Sequence, residues 1–281
     1  MLFERRTSPN TSAKTFKRNG LTKYMLAIYK KEMRSYFINP IGYVFVGIFL
    51  LLSSLLCAYT TFQSNSYDTS TYFTIMIFAL IILIPLLTMR SLSEERKLKT
   101  EQLLLTSPVS ITSMVMGKFL ASFTMFACCV LTSCVNFIPL YVVGKIEREG
   151  DPYGVTHIGP VTSEIIGSLC AVLLIGAAFI GIGLFISALT ENQLSSAVIT
   201  IAVILVMVVL GFVNDIGSDA DGTRLVANSV VRFVIDWVSV FSRFGNFTYG
   251  VVDLAALIYY LSIAGVFVFL TVRVYEKRRW G

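Results

Sequence analysis

The sequence predicts an all-α polytopic membrane protein: six transmembrane helices, an N-terminal amphipathic helix ahead of them, a charge-rich cytoplasmic helix between spans 2 and 3, and a re-entrant or outer-leaflet helical loop before the last span. Three observations carry this prediction. Of 281 residues, 55% are hydrophobic and only 14% charged, with mean hydropathy +0.74, whereas soluble domains carry about 25% charged residues. Six apolar runs reach or approach the roughly 20 residues that cross a bilayer core. The basic residues are also one-sided: 18 of 23 Lys and Arg fall in residues 1–40, 90–118 and 273–279. With Asp and Glu included, and with Glu191 of the loop between spans 4 and 5 counted on the same side, the net charge of +6 divides into +11 on that side and −5 on the other. Basic residues collect on the cytoplasmic face, so both termini are expected inside, in the cytoplasmic membrane. Charges confined to ends and short loops also argue against a nucleic-acid partner.

The six spans are residues 41–62, 73–89, 115–143, 165–189, 195–213 and 254–275. The second is short, and Pro85 near its end predicts a kink or an early exit. Residues 1–20 are polar and basic, without the apolar core and small-residue site of a cleaved signal, and are expected to form a disordered tail. In residues 21–39 the apolar side chains Met25, Leu26, Tyr29, Met33, Tyr36 and Phe37 fall within an arc of about 120°, with Lys23, Lys30 and Arg34 opposite. Such a helix lies in the headgroup plane or, alternatively, in solution. Asn39-Pro40 turns the chain into the first span.

Between spans 2 and 3 the chain is rich in charge. Ser91 and Glu94 have the spacing of a capping box, and Glu95/Lys99 and Lys97/Glu101 are i, i+4 pairs, so a helix over 91–107 ending before Pro108 is expected. With Leu103-Leu104-Leu105 at its end, it suits docking in a partner's groove as well as it suits a solvated connector. The loop 214–250 holds a second unusual run. Asn228, Arg232, Asp236, Ser239 and Arg243 share an arc of about 80° on one helix face. A seventh span there would reverse the charge rule at the C-terminal end, so a membrane-dipping helix or an outer-surface helix is expected instead.

Chemistry-bearing motifs are few. There is no phosphate-binding G-x-x-x-x-G-K-[ST] loop, no H-E-x-x-H and a single histidine, His157. Cys57, Cys128, Cys129, Cys134 and Cys170 lie in apolar stretches with no CxxC pair and read as small hydrophobes rather than disulfides or metal ligands. Glu164, Glu191 and Asp253 sit at span ends and no acid sits at mid-depth, which disfavours a proton-coupled carrier. In span 4, Gly167, Gly176, Gly181 and Gly183, with Ala177/Gly181 and Gly183/Ser187 at small-xxx-small spacing, predict close helix packing.

The run Ser93-Glu94-Glu95-Arg96, then Thr100-Glu101-Gln102-Leu103-Leu104-Leu105-Thr106-Ser107-Pro108-Val109-Ser110 and Gly117-Lys118 resembles the ABC-2 type transporter permeases, most closely the gliding-motility-associated and nitrous-oxide-cluster permease subunits. Lys99 stands where glycine is common in that pattern. The resemblance implies a non-catalytic permease that pairs with a second copy or a related permease, each bound to a separate ATPase subunit that holds ATP and Mg, with room for an additional membrane or extracytoplasmic subunit. It implies ATPase coupling through Glu94, Glu95, Arg96, Thr100, Glu101, Leu104, Leu105 and Pro108, and an elbow formed by Met25, Tyr29, Lys30, Met33 and Arg34. It places the stripe Asn228, Arg232, Asp236, Ser239 and Arg243 at the outer exit. Mild polarity in the spans favours a lipid, lipid-linked glycan, hydrophobic peptide or drug-like cargo, most naturally exported. A membrane anchor for a cytosolic ATPase is the alternative; an intramembrane enzyme lacks a catalytic constellation.

Overall fold

A computed structural model of the chain describes residues 10–62, 67–100, 110–150, 159–216, 239–240, 243–251 and 253–280. Every regular element among them is helical. The helices are α1 (Asn10–Ile38), α2 (Pro40–Cys57), α3 (Ser70–Thr88), α4 (Ser93–Lys97), α5 (Ile111–Ser133), α6 (Ile138–Gly150), α7 (Thr162–Leu189), α8 (Gln193–Ile216), α9 (Gly245–Thr248) and α10 (Leu254–Trp280). A π-helical turn, Ala58–Phe62, extends α2, and a 3₁₀ turn, Cys134–Phe137, joins α5 to α6.

Six helical stretches are long and apolar enough to cross a membrane, at the positions the sequence indicates. We number them spans 1 to 6: α2 with its π turn, α3, α5 with α6, α7, α8 and α10. We call the end bearing α4 the basic end and the opposite one the far end. Span 2 does not exit early at Pro85, since α3 continues to Thr88. Span 3 runs from Ile111 to Glu149, which at about 1.5 Å per residue exceeds the bilayer core. The elbow is longer than expected, with α1 beginning at Asn10. Its junction with α2 is tight because Pro40 supplies the first helical turn and a Cβ on Gly42 would collide with the carbonyl of Tyr36.

Span 4 is the centre of the bundle. Of its apolar window 72% is buried and of span 2's 61%, against 28 to 33% for the other four. The span 4 glycines explain how it accepts neighbours on several sides. A Cβ at Gly183 would strike Thr88 of α3, one at Gly176 the ring of Phe126 of α5, and one at Gly181 would come within 3.2 Å of Ala264 of α10. At Gly167 it would lie 2.6 Å from the Phe247 carbonyl of α9. Small residues thus bring helix backbones together where no hydrophobic force acts between spans.

The loop before span 6 contains the expected polar stripe, of which Asn228, Arg232 and Asp236 lie outside the described residues. Ser239 and Arg243 are described. The Tyr260 hydroxyl donates to the Val240 carbonyl at 2.7 Å, the Tyr259 hydroxyl reaches that of Ser239 at 3.5 Å, and the Arg243 guanidinium sits 4.0 Å from the Tyr259 ring centroid. Tyr260 is six residues inside α10, about 9 Å from its start. The chain at Ser239–Val240 therefore runs beside the first turns of α10, below its end, before α9 returns it to Leu254.

Candidate functional site at the basic end

The segment from Arg90 to Thr100 is built differently from the expected helix. Helix α4 spans only Ser93–Lys97, and Lys99 takes a left-handed conformation with φ 56°, which stops it. A side chain there carries a steric cost that glycine avoids, which accounts for the glycine common in the resembling pattern. Residues 101–109, with Glu101, Leu104, Leu105 and Pro108, lie outside the described residues. Thr100 is exposed, and its hydroxyl donates to the Glu95 carbonyl at 3.3 Å.

Of the expected local charge pairs, Lys97/Glu101 falls partly outside the described residues, and Glu95/Lys99 gives way to a long-range contact. The capping box is not formed: Glu94 pairs with Arg90 (Nη2 to Oε1 2.8 Å), and the amides of Leu92 and Ser93 donate to Ser187 Oγ of α7 at 3.2 and 3.0 Å. Glu95 does not pair with Lys99 but with Lys118 of α5. The Lys118 ammonium is 2% exposed and donates to Glu95 Oε1 (2.9 Å), Glu32 Oε1 of α1 (2.9 Å) and the Ser91 carbonyl (2.8 Å). An ammonium has three N–H donors, so all are used. Removing such a charge from water costs several kcal/mol unless partners compensate. Here they come from two separate elements and a backbone carbonyl.

A second attachment lies at the end of span 4. Arg96 donates to the Leu189 carbonyl at 2.8 Å and to Glu191 Oε1 at 2.9 Å, while Arg278 from the end of α10 donates to the Ala188 carbonyl at 2.8 Å. These carbonyls belong to the last turn of α7, which has no intrahelical donors and carries partial negative charge. Two guanidinium groups from distant segments supply both needs. The short connector is thereby fastened to α1, α5, α7 and the start of α8.

The elbow packs on the same structure. Met25, Tyr29 and Met33 are half-buried and Lys30 and Arg34 exposed, as amphipathicity requires, whereas Leu26 and Phe37 are both 50% exposed and lie outside the packed face. Gly117 admits α1 closely, since a Cβ would lie 3.0 Å from Ile28 and 3.1 Å from the Met25 carbonyl. Tyr36 shares a 3.0 Å hydrogen bond with Ser122. Burial raises its phenol above the ordinary value, keeping it neutral. A cavity of about 230 Å³ lies beside this contact, with Lys31, Glu32, Arg90, Glu94 and Lys118 on its wall.

The sequence reading missed Lys118, Ser187 and Glu191 as partners of this segment, and Glu32, which joins it through Lys118. Two signals were present: a lysine inside the first turns of an apolar helix, and one acid within a basic elbow.

A family model described as ABC-2 family transporter protein matches residues 58–274. No curated protein sequence matches the chain significantly. The match covers four of the six apolar helices entirely, most of the last one and the charged connector, and so the chain belongs to the ABC-2 family of transporter proteins, as a multi-pass membrane permease of an ABC transporter.

Proposed function

We propose that this permease works as a pair of copies, each bound at its basic, cytoplasmic end by a separate ATPase subunit that carries ATP and Mg. Residues 94–105 are the docking segment, and the contact around Lys118 turns displacement of that segment into movement of the elbow and span 3. The observation that carries this reading is the buried Lys118 ammonium held by Glu95 of the connector and Glu32 of the elbow. A connector tied by charge to several helices transmits displacement, whereas a free loop absorbs it. The sites that bind and hydrolyse ATP belong to the partner, because this chain has no phosphate-binding loop.

The charge division supports both termini in the cytoplasm of a cell membrane. The mild polarity of the spans favours export of a lipid, glycolipid, hydrophobic peptide or drug-like molecule, and the subgroup resemblance leaves room for an accessory membrane subunit. The test is ATP-dependent movement of a fluorescent lipid or hydrophobic dye in vesicles holding the permease and its ATPase. Glu101→Arg and Glu94→Arg are expected to abolish movement. Transport and ATPase association unchanged in both would refute the docking assignment. An ATPase that stays bound while no cargo moves even in the natural complex would favour an anchoring role.

A further inference from the structure

The cavity of about 230 Å³ beside Lys118 has two unlike walls. Phe45, in the first turns of span 1, and Leu86 and Leu87, in the last turn of span 2, form an apolar one. The elbow and the connector, which lie outside the spans, form a charged one together with Lys118. The space therefore straddles the level at which hydrocarbon gives way to lipid headgroups.

The charged wall is neutral as a whole but divided within itself: three cations, Lys31, Arg90 and Lys118, accompany three carboxylates, Glu32, Glu94 and Glu95. The single Lys118 ammonium, 2% exposed, holds both Glu32 and Glu95 through their Oε1 atoms, so one negative charge is in excess there and each Oε2 keeps acceptor capacity. Arg90 meets Glu94 through Nε and Nη2, which leaves Nη1. Along α1, Lys31, Ser35 and Asn39 follow one another at four-residue spacing on the cavity wall. Lys31 is exposed and has no ion pair among the described residues. Ser35 Oγ accepts from Asn39 Nδ2 at 3.1 Å, so its own O–H remains a donor. An acceptor-rich patch with excess negative charge thus stands beside a patch of donors with positive charge, and both adjoin an apolar surface.

We propose that this cavity holds one phospholipid with a primary-amine, zwitterionic headgroup, of the phosphatidylethanolamine class, drawn from the leaflet at the basic end. The lipid ammonium donates to the second oxygens of Glu32 and Glu95, the phosphate accepts from Lys31, Ser35 and Arg90 Nη1, and the glycerol and first acyl carbons lie against Phe45, Leu86 and Leu87. A choline headgroup has no N–H to give the carboxylates, and an anionic glycerol headgroup brings no cation to them, so both are excluded by the same wall. A water-soluble phosphoethanolamine ester carries the same polar chemistry but leaves the apolar wall uncovered. The lipid is a resident component and not cargo, because it touches the elbow, span 2, the connector and span 3 together. The inference goes beyond the ATPase-docking reading and does not depend on it.

The test is native mass spectrometry of the permease with its ATPase, stripped of lipid in detergent and re-exposed to an equimolar mixture of dioleoyl phosphatidylethanolamine, phosphatidylcholine and phosphatidylglycerol. One phosphatidylethanolamine retained per permease chain is expected, with each of the other two about five-fold less. Equal retention of all three, or retention of none, overturns the proposal. Lys31→Glu reverses the phosphate contact at an exposed position and is expected to lower retention about five-fold, whereas Lys30→Glu, exposed on the same helix but off the cavity wall, leaves it unchanged. Equal retention by these two variants puts the lipid elsewhere and overturns the site. Soluble glycerophosphoethanolamine added at the concentration of the lipid is expected not to displace it; displacement assigns the cavity to a water-soluble ester instead. Loss of the bound lipid during ATP turnover makes it cargo and overturns the resident role. Retention is read without ATP, so its failure leaves the docking assignment standing, and normal transport by Glu101→Arg and Glu94→Arg overturns that assignment without touching the lipid site.

Discussion

The two ends of this bundle are held by different chemistry. At the basic end, Lys118, Arg90, Arg96 and Arg278 bind carboxylates and helix-end carbonyls contributed by several helices. Toward the far end buried or part-buried neutral groups pair instead, Tyr260 on the Val240 carbonyl and, deeper in the membrane, Ser53 with Tyr72 and Asn136 with Ser53, while the Lys145–Glu149 pair is exposed and Arg243 donates to the Ser239 carbonyl four residues back. Buried charge pairs are costly to break, because either partner left alone remains an uncompensated ion. Neutral hydrogen bonds contribute about 1 kcal/mol each. The basic end is therefore suited to move as a unit, and the far end to rearrange at small cost.

Three substitutions sharpen this contrast, in descending order of effect. Lys118→Met leaves Glu32 and Glu95 as two carboxylates with 16% exposure and no cation between them. It is expected to destabilise the protein by about 3 kcal/mol, read as a lowered unfolding midpoint in detergent. Adding Glu32→Gln and Glu95→Gln removes the orphaned charges and should recover most of that loss. A mild effect of Lys118→Met alone would break the comparison.

Gly183→Ala comes next. Its Cβ would enter the space of Thr88 where spans 2 and 4 meet near the basic end, and overpacking of this kind costs about 2 kcal/mol. Gly265→Ala is the internal control, since nothing lies within 4 Å of that Cβ position. Equal unfolding midpoints for the two variants would contradict the close packing of spans 2 and 4. The smallest effect belongs to the far end: Tyr260→Phe removes one hydrogen bond to Val240 and should cost about 1 kcal/mol. ATPase association should be unaffected.

The spans were legible because a bilayer demands long apolar helices with internally satisfied backbones, a requirement written directly into composition. The span 4 glycines were legible for a related reason, since only small residues allow close contact. The contact at the basic end was not. Glu95/Lys99 and Ser91/Glu94 have correct helical spacing, but local spacing cannot reveal that Lys118 and Ser187 offer better partners from distant parts of the chain. Lys99 illustrates the same limit: lysine favours helix in isolation, yet here it occupies the left-handed position that ends α4. Met25, Tyr29 and Met33 of α1 are half-buried, but the apolar pattern gave no sign of Glu32, because an acid among lysines and arginines resembles solvated charge until a buried lysine meets it.

The most direct test of the central claim separates the ionic link from the stability it provides. The variant Glu32→Gln/Lys118→Met/Glu95→Gln, assembled with the ATPase in sealed vesicles, is compared with the natural permease for cargo moved per ATP hydrolysed. If the Lys118 contact carries the motion, the variant folds and binds the ATPase, and ATP is consumed while transport per ATP falls at least ten-fold. An unchanged ratio of transport to hydrolysis would contradict it.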